Sequence, residues 1–434
     1  MHNPIAVGNV DEKEITVRPF GIVRTILLAI STLAVLNSQL VALASTEAES
    51  DMTTKLSTGT GSLAFRLLAK LAAAHPASNL LISPTSLATA LTLAYNGAGG
   101  KTASEMSDTL GLTGLSLDEV DRAMAALTKS VEDADPKVQL ISANALWVKN
   151  GIKLKSAFSG QAKKYFRSQV SNLDFADPGS VSVINKWVAE QTKDKIKSII
   201  NSLDSASLLV LTNAVYFKGA WTKPFNASAT EENGEFKLAG GARLKIAMMQ
   251  QSGRFLYGED ANVQALELPY GNGQISMFIL LPKAQSDFQN FLTGMTLKGF
   301  EKTIDKLQVA SGSITLPRFS ISYENELSKD FKSLGMPTAF DPRAADFKAM
   351  ADVPSSFFIG QVLHKAIMNV NEAGTEAAAA TAIIMATAAY IPGKPFVMNV
   401  DHPFVVAIRE RDSKQILFLG AVANPEKLAA PKSN

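Results

Sequence analysis

The chain has 434 residues, 46% of them apolar and 19% charged, which suits a large buried core and excludes a disordered chain. Lys+Arg at 42 against Asp+Glu at 40 leaves a net charge of +2, too even for a protein that holds nucleic acid through a broad basic surface. Cys is 0, which excludes disulfides, thiolate nucleophiles and Cys-ligated metal, and the 4 His are too scattered for a local metal motif, so neither metal nor cofactor is expected.

No charge falls between Thr25 and Thr46. Arg18 and Arg24 precede an apolar run from Ile26 to Leu36, and the small-x-small site Ala42-Leu43-Ala44 follows. That order is a secretory signal's. Residues 1–44 are therefore expected to be removed and the protein to be secreted and extracellular. The alternative is a retained anchor, because the uncharged span is long enough to cross a bilayer. Residues 45–60 read as a polar, flexible lead-in.

Leu63, Phe65, Leu67, Leu68 and Leu71 form a helical stripe. Ser83 before Pro84 predicts an N-cap and a helix running to Asn96-Gly97. Thr102 with Glu105, and Ser116 with Glu119, predict two capping boxes, their helices ending near Gly111 and near Asp133–Pro136. Val138–Val148 has strand character. A helix is expected over Val183–Ile200, with Trp187 and Val188 on its apolar side. From Leu208 the pattern is mostly β, with turn signals at Gly240-Gly241, Gly271-Asn272-Gly273 and Arg411–Lys414, and one helix over Glu324–Leu334. Helices early and strands late imply an α+β fold. No linker interrupts residues 61–427, which read as one domain before a tail at 428–434.

Asn96–Thr102 resembles a phosphate loop, but Tyr95 stands where the first glycine must be. No G-x-S-x-G is present; spacing leaves a Ser/His/Asp triad open, but His364 and His402 lie in apolar strands where a His is more often a satisfied core group, so no nucleophile motif supports an enzyme. The helix Leu117–Asp133 carries Asp118, Glu119, Asp121, Glu132 and Asp133, so a heparin-type polyanion is not an expected partner.

The informative segment is Glu372–Ile391. Read with period two, one face is Thr375, Ala377, Ala379, Thr381, Ile383 and Met385, and the other is Glu376, Ala378, Ala380, Ala382, Ile384 and Ala386. Only Glu376 is charged, so both faces suit burial in the middle of a sheet. Gly374 supplies a hinge with free φ. The segment can be exposed in one state and a central strand in another; a flexible alanine-rich loop is the competing reading.

These residues, with others, resemble the serpin family over residues 61–427. Asn213–Trp221 followed by Lys223-Pro224-Phe225 is similar to the family's strand-and-turn signature. Ser78–Pro84 resembles the approach to its second helix, and Val362–Ala366 leading to Asn371–Ala377 the strand and hinge before the reactive loop. Asp401–Phe404 and Phe418–Pro425 resemble its C-terminal strands. The resemblance implies three β-sheets, eight or nine helices and an exposed reactive-centre loop. It implies a monomer that inhibits serine proteases as a suicide substrate. The protease cuts a bait bond, and the cut loop inserts into the main sheet.

By the same resemblance the hinge is Glu372, Gly374, Thr375, Glu376, Ala377, Ala378, Ala379, Ala380 and Thr381. Thr375 is expected to be exposed or only shallowly inserted before cleavage. The family register puts the bait bond at Ala388–Ala389, with Tyr390 the next candidate. Ala388 suits an elastase-like or subtilisin-like protease, and Tyr390 a chymotrypsin-like one. No Arg or Lys lies between Glu372 and Ile391, which argues against trypsin-like targets. Ser83, Ser86, Asn213 and His364 are the implied polar cluster under the strands that part. Glu372 and Arg318, near Trp221, are the implied ion pair at the top of the sheet; the plain alternative is a surface pair of about 0–1 kcal/mol. Asn226-Ala227-Ser228 is a glycosylation sequon. A non-inhibitory serpin, such as a carrier or chaperone, is the alternative function, with a hydrolytic enzyme a distant third.

Overall fold

The computed structural model describes residues 50–283, 288–352, 357–375 and 394–430. The expected leader at 1–44, hinge residues Glu376 to Thr381 and the bait residues Ala388, Ala389 and Tyr390 lie outside them.

Helix α1 covers residues 50–74. It is followed by β1 (Leu80–Ile82), α2 (Pro84–Tyr95), α3 (Gly100–Leu110), α4 (Leu117–Ala134), β2 (Val138–Lys149), β3 (Lys153–Leu154), α5 (Ser156–Gln161), β4 (Gln169–Leu173), α6 (Gly179–Gln191) and β5 (Leu209–Ala220). The second half contributes β6 (Glu231–Lys237), β7 (Arg243–Glu259), β8 (Val263–Tyr270), β9 (Ile275–Pro282), α7 (Phe288–Thr293), α8 (Leu297–Ile304), β10 (Gln308–Pro317), β11 (Phe319–Glu326) and α9 (Ser328–Leu334). Then come β12 (Ala351–Asp352), β13 (Ile359–Asn371), β14 (Gly374–Thr375), β15 (Phe396–Asn399), β16 (Phe404–Glu410), β17 (Ile416–Val422) and β18 (Glu426–Lys427). The fold is α+β, with nine-, seven- and two-stranded sheets among the described residues.

Four local expectations are corrected. Residues 50–60 are helical rather than a flexible lead-in, and Leu56, Ser57 and Thr60 are buried. Small residues hid this helix: Gly59 lets it approach the Leu110 and Gly111 backbone, and Thr58 and Thr60 donate back to the Thr54 and Leu56 carbonyls, 2.9 Å each. Thr102 and Glu105 do not cap α3. Thr102 Oγ1 accepts from the Asp346 amide at 2.9 Å, and Glu105 accepts from Thr338 through both oxygens at 2.8 Å. The helix expected over Val183–Ile200 begins at Gly179 and stops at Gln191, where Lys193 and Asp194 take positive φ. Glu324 to Glu326 are not helical but pair with β13, so α9 starts only at Ser328. Ser83 does cap α2 behind Pro84, and the Ser116–Glu119 capping box is complete.

The seven-stranded sheet, ordered β18-β11-β13-β14-β5-β2-β4, positions the site. Along most of their shared length β13 and β5 pair in parallel, from Ile359↔Leu209 to Ile367↔Tyr216. All the other pairings inside this sheet except β2 with β4 are antiparallel. One face of β5 (Leu209, Leu211, Val215, Phe217) enters the main core. Its other face (Val210, Ala214) packs with Ile184 and Val188 of α6, Trp147 of β2 and Leu363 of β13.

Candidate functional site

The hinge is already partly in the sheet. Above Ile367 the parallel pairing of β13 and β5 ends and β14 wedges between them. Gly374 sits opposite Asn371 and Ala220, and Thr375 opposite Val370 and Gly219, antiparallel on both sides. The insertion is two residues deep, yet Thr375 is 0% exposed. Its hydroxyl meets that of Tyr270 at 2.7 Å. Gly374 is required by geometry: its φ is +151°, and a Cβ there would lie 2.1 Å from the Gly219 carbonyl oxygen. Asn371 Oδ1 accepts from the Ala373 and Gly374 amides at 2.9 and 3.2 Å, which shapes the turn into β14.

Trp221, immediately after β5, holds that turn. Its indole donates to the Asn371 carbonyl at 3.0 Å, and its amide to the Ala373 carbonyl at 3.0 Å. Glu372 and Arg318 are not a surface pair. They meet at 2.9 Å with side chains 4% and 5% exposed. Glu372 Oε1 also accepts from Thr230 at 2.8 Å, and Arg318 also holds Glu232 and the Leu428 carbonyl. Breaking a buried pair from one side leaves an uncompensated charge, so removing either partner alone should cost more than breaking a surface bridge.

Lower in the seam lies the polar cluster. Asn213 and His364 are register partners across β5 and β13, joined by Asn213 Oδ1 and His364 Nδ1 at 2.6 Å. Asn213 Nδ2 donates to Ser86 and Asn144, and Ser86 Oγ meets Ser142 Oγ at 2.7 Å. Ser83, Ser86, Asn213 and His364 are all buried. The structure brings Ser86, Asn213 and His364 together; Ser83 instead donates to the Leu417 carbonyl at 2.7 Å and meets Ser86 only through its amide. Burial pushes the His364 pKa down to about 4, against the pull of the Leu81 and Asn213 backbones, so the ring is neutral near pH 7. Its Nε2 has no hydrogen-bond partner among the described residues. A cavity of about 310 Å³ between α2, α4 and β2 reaches Ser86, Ser142 and Asn144. Asn226 is exposed in a short turn, with the Ser228 hydroxyl 2.8 Å from its Oδ1.

Sequence reasoning missed Tyr270, Ser142, Asn144, Thr230 and Glu232. Ser142 and Asn144 carried a signal, two polar residues at i and i+2 in the middle of a strand whose other polar residues, Gln139 and Lys149, lie near its ends. Tyr270 carried only its place before the Gly271-Asn272-Gly273 turn.

Residues 58–425 match the family model described as Serpin (serine protease inhibitor). An uncharacterized serpin-like protein of Thermococcus kodakarensis is 36% identical over 358 residues, covering 80% of this chain and 81% of its own. The leukocyte elastase inhibitor of Bos taurus is 34% identical over 366 residues, covering 81% and 94%. Among solved structures, human thyroxine-binding globulin complexed with thyroxine superposes with a TM-score of 0.80 at 27% identity, covering 87% of this chain and 100% of its own. A wedge-shaped hinge strand over a parallel seam, in this fold, thus has a name: the chain belongs to the serpin family, whose members are generally protease inhibitors that bind their target proteases.

Proposed function

We propose that the protein is a secreted suicide inhibitor of serine proteases with a small apolar bait at Ala388–Ala389. One observation carries this reading: β14 is lodged at the mouth of a parallel seam whose remaining length complements the loop sequence. Gly374 faces Ala220 and Thr375 faces Gly219. Continuing that register, the 12 residues of β5 take up the loop as far as Met385. Ala377, Ala379, Ile383 and Met385 then lie beside Phe217, Val215, Leu211 and Leu209, the β5 residues of the main core. Ala378, Ala380, Ala382 and Ile384 fall on the α6 side, where Val210 and Ala214 of β5 pack with Ile184 and Val188. Thr381 arrives between Asn213 and His364 and supplies a hydroxyl where their hydrogen bond must open. An antiparallel strand there replaces a parallel seam with two antiparallel ladders.

The chemistry belongs to the protease. Its serine attacks the Ala388 carbonyl, the Ala389 amine leaves with a proton, and an ester joins the two proteins. Insertion of a 12-residue strand, roughly 40 Å long, then drags the ester-linked protease along the sheet. Secretion is supported by the apolar run ending at Ala42-Leu43-Ala44; material from the medium should begin near Ser45. Incubation with an elastase-like protease followed by a denaturing gel tests the function. A covalent complex supports it, and cleavage of the loop without a complex refutes it. A carrier role is the second reading, favoured by the likeness to thyroxine-binding globulin.

A further inference from the structure

We infer that the Tyr270 hydroxyl is a latch that sets the hinge's resting position and starts its insertion, an inference that rests on the inhibitory reading above. Tyr270 ends β8, a strand of the nine-stranded sheet and not of the seam that opens. It is held on several sides. Its backbone bridges Trp221, its ring stacks on the Trp221 indole at 4.3 Å and 14°, and it meets Phe217 edge-on at 5.0 Å. The next residue, Gly271, donates its amide to the Ala220 carbonyl at 2.8 Å. The ring is fully buried, and among the described residues its hydroxyl bonds Thr375 alone. Burial pushes the phenol pKa up, so the hydroxyl keeps its proton.

Two demands on the loop compete at this bond. Docking on a protease draws the loop outward, which takes Thr375 from the sheet and leaves the Tyr270 hydroxyl buried without a partner. Insertion after cleavage needs Thr375 back in the sheet, where the bond re-forms. The latch therefore opposes docking and favours insertion. Tyr270 touches neither the protease nor the bait bond; it is a positioning residue, and it selects a hydroxyl at position 375.

Tyr270→Phe keeps the ring and its stacking. It should raise the association rate with an elastase-like protease and also raise the number of inhibitor molecules cleaved per protease trapped. Each change should be about threefold to tenfold, the span of one buried hydrogen bond. General loosening of the fold would not speed association. Thr375→Val should reproduce both changes and Thr375→Ser should restore wild-type values. The double variant Tyr270→Phe/Thr375→Val should be no worse than either single variant, because it leaves neither hydroxyl unpartnered. Hydrogen exchange at the Gly374 and Thr375 amides of the intact protein reads the latch without any protease. Faster exchange in Tyr270→Phe supports the latch even if wild type traps no protease, a result that sinks only the inhibitory reading. Unchanged exchange, or unchanged association and trapping beside a wild type that forms complex, overturns the latch.

Discussion

Gly374→Ala tests the hinge geometry with the smallest possible side chain. The added Cβ would lie 2.1 Å from the Gly219 oxygen and 2.7 Å from the Ala220 Cα, both inside the 3.0 Å that real Cβ atoms respect. Both obstacles are backbone, so no rotamer relieves them. The φ of +151° adds strain for any L side chain, of order 1–3 kcal/mol. The variant escapes by withdrawing Gly374 and Thr375 from the sheet, losing their registered pairs and the Tyr270 bond. Intact protein should still fold, with stability lower by about 1–2 kcal/mol. After cleavage the same obstruction meets the returning loop. With each ~1.4 kcal/mol on the insertion barrier costing tenfold in rate, insertion should slow about tenfold to a hundredfold, and hydrolysis of the ester should win. The assay is the ratio of cleaved inhibitor to covalent complex with an elastase-like protease. If Gly374→Ala traps protease as efficiently as wild type, residue 374 does not enter the sheet and the hinge account fails.

Thr375→Arg should also turn the inhibitor into a substrate, because an unpaired guanidinium at a fully buried position costs several kcal/mol. Since Thr375 is already buried in the resting state, this variant should also melt earlier than wild type when intact; an unchanged melt would contradict the observed insertion. Ala388→Arg should redirect inhibition toward trypsin-like proteases, and a variant that still stops elastase and ignores trypsin would move the bait to Tyr390. Two buried groups give opposing pH dependences. Burial raises the Asp121 pKa from 3.8 to about 6, so its contribution favours the fold at low pH and is lost as pH rises through about 6. His364, held neutral with a pKa lowered from 6.5 to about 4, stabilises above 6.5, and that stability is lost as pH falls toward 4. Each is worth roughly 3 kcal/mol, so the two offset one another between these limits. Asp121→Asn should therefore lose about 2–3 kcal/mol more than wild type between pH 6.5 and pH 4 in urea melts, and equal losses would refute the assignment.

What the sequence revealed follows the range of the interactions involved. Ser83 before Pro84 and Ser116 with Glu119 are legible because their partners are three residues away. Thr102 with Glu105 has the same spacing but is claimed by Asp346 and Thr338, more than two hundred residues distant. Glu324–Leu334 carries a helical pattern whose first turn is overridden by pairing with β13. The two-faced hinge was legible because strand period is local. Its resting depth was not, because Tyr270 on another sheet sets it. Likewise His364 and Asn213 could be nominated from the family resemblance, whereas the pairing of Asn144 with Asn213 depends on the β2–β5 register and that of Ser142 with Ser86 on α2 packing against β2.

The central claim is that the seam between β5 and β13 is a waiting place for the loop. Nicking the intact protein within residues 386–391 and comparing thermal melts tests it most directly. Insertion adds ladder hydrogen bonds on both sides and buries Ile383 and Met385, so the nicked protein should melt far above the intact one. Equal melting temperatures would mean that the loop stays out, contradicting the seam's role and favouring the carrier reading.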